Sequence, residues 1–248
     1  MDSIHESSSA ASRATGVGVL DRCVSLLDLL ADGPRSLRWL ADRSGLPRPT
    51  AHRLLVALEA HRLVARDAKG LFRLGPRLTE LAAAAGHELD LAGLAAPVMA
   101  RLHDATRESV QLYVRSGNQR LCIAARDAGT GLRDSVRVGA LLPLDAGSGG
   151  KVILAWAADG ASVSGVPEEE LAAVRTRGWA ASVAEREPGV ASVSAPVVRD
   201  GVLLGALCVS GPVSRLGQSP GRKLSTPVVA AAEELSHLAS DANALAAR

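Results

Sequence analysis

The chain has 248 residues, 47% of them hydrophobic, and a formal net charge of +2; this is enough to fill one large or two ordinary cores and excludes disorder for most of its length. No run approaches the roughly 18 to 20 uninterrupted apolar residues of a membrane span, and the start MDSIHESSSAASRATG lacks a basic-then-apolar signal pattern. The expectation is therefore a cytoplasmic protein with no membrane partner and a short disordered leader over residues 1–15. Cys23, Cys122 and Cys208 are odd in number, far apart and without a C-x-x-C, so they indicate neither a disulfide framework nor a zinc site, and no metal or cofactor is expected.

The charge is unevenly spread. Residues 33–77 hold ten Lys/Arg against three Asp/Glu, a balance of +7, while residues 1–32 carry −3 and residues 78–248 carry −2. A basic excess confined to one segment is the footprint of a polyanion partner, with a solvated arginine-rich surface as the alternative.

In chain order, Val19, Leu20, Cys23, Leu26, Leu27 and Leu30 recur at helical spacing and predict an amphipathic helix that ends at Gly33-Pro34. Ser36 is a good N-cap for a second, two-turn helix, with Leu37, Leu40 and Ala41 inward and Gly45 closing it in the left-handed position. A third helix starts near Pro49. Its inward stripe is Ala51, Leu54, Leu55 and Leu58; the opposite face carries Pro49, Arg53, Val56 and Ala60, with Thr50 and His52 on the flanks.

Two short helices joined by a tight turn, the second with cations at its amino end, describe a helix-turn-helix. The third helix fits the major groove, where Arg48, Pro49, Thr50, His52 and Arg53 would meet double-stranded DNA. Arg48 suits either a guanine edge or a phosphate; Thr50 and Arg53 suit phosphates, and Val56 a thymine methyl. Leu63–Arg66 and Leu71–Leu74 then form a hairpin around Asp67-Ala68-Lys69-Gly70, which makes the domain winged and offers Arg66, Lys69 and Arg73 to adjacent backbone. Only Phe72 is aromatic near the hairpin, so a single-strand or RNA binder lacks its stacking platform.

From residue 75 on, GPRLTELAAAAGHELDLAGLAAPVMARLHDATRES reads as two helical stretches broken near Gly86. SVQLYVRSGNQRLCIAARD is a strand pair around Ser116-Gly117-Asn118, RDSVRVGALLPL adds a strand, GKVILAWAA is a buried helix, and residues 189–211 form a second pair turning at Asp200-Gly201. TPVVAAAEELSHLASDANALAA closes as a long amphipathic helix. Strand pairs flanked by helices predict an α+β domain. The divisions expected are a winged helix-turn-helix over 16–75, a linker helix over 76–90 and a second domain over 91–248.

Catalytic motifs fail in this second domain. AGSGGK at 146–151 would need Gly in place of Asp145 and Ser or Thr in place of Val152 to be a phosphate loop, and Ala146 breaks G-x-S-x-G around Ser148. His87, His103 and His237 lie in helices without a carboxylate partner, so no enzyme is expected; the rival reading, an enzyme with an accessory nucleic-acid module, would need a histidine and a carboxylate converging on Ser148. Small polar residues do gather at a glycine-rich helix start, Ser148, Gly149 and Gly150, and on adjoining strands, Ser182, Ser192, Cys208 and Ser210. Backbone N–H groups near Gly149 would suit a carboxylate, with hydroxyls completing its hydrogen bonds.

SLRWLADRSGLPRPTAHRLLVALEAHRLVARD, with GLFRLGPRL after it, resembles the winged amino-terminal domain of the IclR family of bacterial transcription regulators. GALLPLDAGSGGKVILAW, RGWAASVAEREPGVASVSAPV and GALCVSGPVSRL look like that family's GAF-like effector domain, and the likeness spans roughly residues 17–240. RPTAHRL, GPRLTELAAAAG and EREPGVASVSAPV look closest to the NdgR-type regulators of amino-acid metabolism. The resemblance implies a homodimer or dimer of dimers on an operator, with Ser148, Gly149, Ser182, Ser192, Cys208 and Ser210 lining a pocket for a small-molecule effector, an amino acid or a keto acid. Members that bind small keto acids often carry an acidic residue at the position of Ser182 and a cysteine at that of Ser192, so this chain departs from them.

Overall fold

The computed structural model describes residues 15–84, 88–128, 135–157 and 165–246. The expected leader and the break near Gly86 fall on residues outside that range, apart from Thr15, whose N–H and hydroxyl donate to the Asp21 carboxylate in the first turn of the first helix. Two compact units divide between residues 85 and 86.

In the first unit, α1 (Gly18–Leu30), α2 (Leu37–Ser44) and α3 (Arg48–Ala60) precede a hairpin of β1 (Val64–Arg66) and β2 (Phe72–Leu74), then α4 (Pro76–Ala84). Leu26, Leu30, Leu40, Leu55, Leu58, Val64 and Phe72 make its core. The stripe expected along α1 is only half buried: Val19 and Leu20 are 59% and 53% exposed, because the core that α2, α3 and the hairpin build reaches α1 only from Cys23 onward. The Ser36 hydroxyl accepts the Trp39 N–H at 3.2 Å, and Gly45, at φ 68°, ends α2 in the left-handed region. Helix α3 starts one residue earlier than expected. Pro47 is its N-cap and Pro49 falls in the first turn, where a missing N–H costs little.

Each strand of the hairpin is a residue shorter than the pattern suggested. The Leu63 N–H goes to the Leu58 carbonyl and the Leu71 N–H to the Asp67 carboxylate, so neither enters the ladder. Arg35 exchanges two 2.8 Å backbone bonds with Phe72, giving the wing a third short partner that the sequence did not suggest.

The second unit is α+β. Its sheet runs β5-β4-β3-β8-β7-β6 with every neighbour antiparallel, from β3 (Ser109–Ser116), β4 (Gln119–Arg126), β5 (Leu141–Pro143), β6 (Ala180–Val183), β7 (Val190–Arg199) and β8 (Val202–Pro212). Two-residue turns join β3 to β4 and β7 to β8; Asp200 and Gly201 both take positive φ, the geometry that matches strand twist.

Alternation along the strands separates two faces. Val110, Leu112, Val193, Ala195, Leu207 and Val209 pack with α5 (Glu88–Thr106) and α9 (Gly221–Ala246). Tyr113, Cys122, Ala206 and Cys208 point the other way, under α6 (Ser148–Trp156) and α7 (Glu168–Arg177). Helix α9 starts five residues before the expected Thr226 and runs through Pro227. Leu224, Val228, Ala232, Leu235 and Ala239 form one buried stripe across the proline, and that burial outweighs the lost backbone bond. Helix α7 was not anticipated, although three glutamates in its first turn, Arg175 and Arg177 in its last and left-handed Gly178 after it are ordinary helix signals. A one-turn α8 (Val213–Leu216) joins β8 to the last helix.

Candidate functional site

On α3 the inward residues Ala51, Leu55 and Leu58 are buried, and this fixes what faces out. Arg48, Pro49, His52, Arg53 and Val56 are exposed and Thr50 is half-buried. Arg48, His52 and Arg53 make no hydrogen bond or ion pair among the described residues. The helix start offers fewer free N–H groups than its position suggests, since Pro49 has none and Thr50 and Ala51 both bond the Pro47 carbonyl. On the hairpin, Lys69 and Arg73 are exposed. Arg66 differs from them: its Nε donates to Glu59 at 3.2 Å and its guanidinium lies 4.4 Å from the Phe72 ring centroid, so its charge is already spoken for.

In the second unit a small cavity, partly open to solvent, lies between the start of α6 and the sheet. Ser148, Gly149, Ser182, Ser192 and Cys208 line it. Ser210, two residues along β8 from Cys208, is on the same face but not in the lining; its hydroxyl donates to Gln111 Oε1 at 3.1 Å. The antiparallel register explains the convergence. Ser182 pairs with Ser192 and Ser192 with Ser210, so three strands present hydroxyls in one row.

These hydroxyls satisfy one another. Ser148 Oγ is 2.7 Å from Ser192 Oγ and 2.8 Å from Ser194 Oγ, and Ser182 Oγ is 2.8 Å from Ser192 Oγ. The backbone at the helix start is also engaged from within: the Ser148 N–H bonds Ser182 Oγ at 3.2 Å and the Gly147 N–H bonds Glu185 at 3.0 Å. The glycines serve close packing. A Cβ at Gly149 would sit 3.1 Å from the Tyr113 ring, and one at Gly150 would collide with the Leu144 carbonyl at 2.1 Å.

Tyr113, Arg120, Gly147, Arg186, Glu187 and Val190 complete the lining and were not foreseen. Arg120 alternates with Cys122 on the inward side of β4, an anomaly the sequence pattern does contain. It is 3% exposed, donates to the carbonyls of Pro143 and Ala146, and lies over the Tyr113 ring. Lys151, in the failed phosphate-loop motif, is buried and bonds Glu170 at 2.7 Å and Glu185 at 2.5 Å. Burial alone would lower its pKa, but the two carboxylates prevail and raise it. Burial, aided by the Cys208 thiol, pushes Cys122 up to about 12.

Among the described residues none that lines the cavity is a histidine. His103 bonds the Glu108 carbonyl past the end of α5, His237 is exposed on α9, and His87 lies outside the described residues. Among the described residues no group of histidine, cysteine and carboxylate side chains is arranged to hold a metal ion, and no helix is long and apolar enough to cross a membrane.

Residues 19–68 match the model of the IclR helix-turn-helix domain, and residues 83–166 and 167–237 that of the bacterial transcriptional regulator IclR C-terminal domain. The chain is 33% identical to the glycerol operon regulatory protein of Streptomyces griseus, over 87% of this chain and 93% of that one. It is 28% identical to the HTH-type transcriptional regulator BhcR of Paracoccus denitrificans, over 89% of this chain and 87% of that one. Among solved structures it is similar to an IclR homolog from Microbacterium hydrocarbonoxydans complexed with 4-hydroxybenzoate, at a TM-score of 0.73 and 25% identity, covering 89% of this chain and 98% of the other.

Proposed function

Because the chain belongs to the IclR family of bacterial transcription regulators, with a DNA-binding domain and an effector domain, we propose that a small metabolite in its second unit controls its grip on an operator. Arg48, Pro49, Thr50, His52 and Arg53 contact the duplex from α3, and Lys69 and Arg73 reach adjacent backbone from the wing. Arg66 contributes less to the interface than either, since Glu59 and Phe72 already hold it. The protein works in the cytoplasm, where the chromosome is.

The observation that carries the effector half is the cavity lined by Ser148, Gly149, Ser182, Ser192 and Cys208. Hydroxyls both donate and accept, so an entering polar metabolite exchanges bonds with the network instead of leaving buried groups unpaired. The metabolite is an amino acid or a keto acid and the genes controlled serve amino-acid biosynthesis. That reading rests on the likeness of RPTAHRL, GPRLTELAAAAG and EREPGVASVSAPV to the NdgR-type regulators.

Two-fold symmetry suits a palindromic operator, and the homodimer, or dimer of dimers, is supported by the apolar residues left exposed on α1, Val19, Leu20 and Val24, and just before it, Val17. Effector occupancy biases one arrangement of the linker over residues 76–90, which resets the spacing of the two reading helices. A thermal-shift panel of amino acids and keto acids on the full chain tests the sensor half, since a ligand at 100 times its dissociation constant adds about 2.7 kcal/mol of stability. A flat panel contradicts it.

A further inference from the structure

We propose that Gln111 is the innermost ligand-contacting residue of the second unit, its side-chain amide donating to an acceptor oxygen at the leading end of the bound metabolite. This rests on the cavity being the effector site.

Gln111 is fully buried on β3, on the sheet face that Tyr113 and Cys208 share. Tyr113 is two residues further along the same strand, and Cys208 is the direct partner of Gln111 on β8, which sets their Cβ atoms about 5 Å apart. Both neighbours line the cavity. Gln111 therefore stands one side chain behind the wall, beside the point where Cys208 Sγ lies 3.9 Å from Ser148 Oγ.

Only half of the amide is satisfied. Oε1 accepts from the Ser210 hydroxyl at 3.1 Å, whereas Nε2 is buried with no partner among the described residues. Reversing the amide makes matters worse, since Oε1 and the Ser210 proton would then both lack an acceptor. The two ends of an amide point apart, so holding Oε1 on Ser210, outside the lining, turns Nε2 toward the side of Cys208 and Tyr113. Among the described residues no other uncharged side chain is left this way. Ser148, Ser182, Ser192 and Ser194, by contrast, are bonded to one another.

A buried donor without a partner costs the free protein stability, and a ligand oxygen that reaches it recovers that cost on binding. The serine row can rearrange for a donor or an acceptor; the Gln111 N–H groups take an acceptor only. A ligand of the same shape without that oxygen recovers nothing, so the contact discriminates as well as holds.

The chain has three glutamines, Gln111, Gln119 and Gln218, and the last two are half-buried and exposed. With an isotope label in the glutamine side chains, magnetic resonance of the full chain resolves one amide pair for each. Gln111→Met identifies the Gln111 pair by its loss, and slow exchange with solvent marks the same pair should that variant not fold. Each amino acid and keto acid of the thermal-shift panel is added in turn, with calorimetry on the native chain and on Gln111→Met. A panel member that binds is expected to move the Gln111 pair downfield, leave the other two in place, and bind Gln111→Met roughly tenfold or more weakly. If a member binds and the Gln111 pair stays where it was, or Gln111→Met binds it as tightly, Gln111 is no contact and the proposal is overturned while the cavity stands. If no member binds the native chain, the sensor reading fails and this proposal fails with it.

Discussion

On α3, Arg48, His52 and Arg53 stand in solvent without a partner among the described residues, whereas Ser148, Ser182 and Ser192, at 0%, 7% and 8% exposure, are buried and bonded to one another. The first set waits for a partner that brings its own charge and costs the fold nothing. The second holds the sheet to α6 as well as facing the cavity. Polar residues at the two sites are therefore expected to answer substitution differently: at the proposed DNA-facing helix binding changes without stability, and at the proposed pocket the two change together.

The largest effect expected is from Leu55→Ala, which opens the fully buried centre of the first unit and costs about 2–5 kcal/mol. Calorimetry should show the first unit unfolding early and duplex binding lost, with the second unit's transition in place; a joint loss of both transitions would deny that the units are separate.

Ser148→Ala comes next. It leaves the Ser192 and Ser194 hydroxyls each short of a partner and is expected to cost about 1–3 kcal/mol in urea unfolding while abolishing the ligand response. Stability unchanged to within 0.5 kcal/mol, roughly what a surface substitution shows, would place this network in the same class as the reading helix.

Arg53→Ala should leave the unfolding midpoint alone, weaken binding to specific and random duplex alike, and reduce the slope of log affinity against log salt by about one. A full slope would remove Arg53 from the interface. Lys69→Ala should reduce that slope too. Arg66→Ala should change it by much less, about half a unit or under, because Glu59 already neutralises Arg66. The smallest signal is chemical: with its thiol pushed up to about 12, Cys122 should resist a thiol reagent at pH 8 until the second unit unfolds. Labelling of the native protein at Cys122 would show that face of the sheet to be open.

The same contrast explains what the sequence made legible. Helical spacing alone separates Leu55 from Arg53, so the outward residues of α3 were readable, as were Ser36 and Gly45 at the ends of α2. Val19 and Leu20 fit the same periodic pattern yet stay exposed, because periodicity says which face is apolar and not how far the neighbours reach along it. In the second unit, small residues at the start of α6 and on three strands marked five positions that do line the cavity. Arg120 was missed because only the order β4-β3-β8-β7 carries it across the sheet toward Ser192. Ser210 was included because its alternation is right; a difference of two residues along β8 hands its hydroxyl to Gln111. Local pattern assigns the face, and register assigns the partner.

The account's central claim is that occupancy of the cavity is felt at the reading helix. It is tested most directly by fluorescence anisotropy on a duplex selected by the full chain from a random pool, titrated with and without the ligand that the thermal-shift panel identifies. The expected result is a change in duplex affinity of roughly 5- to 150-fold that disappears in Ser148→Ala. A ligand that binds tightly and leaves duplex affinity unchanged would contradict it.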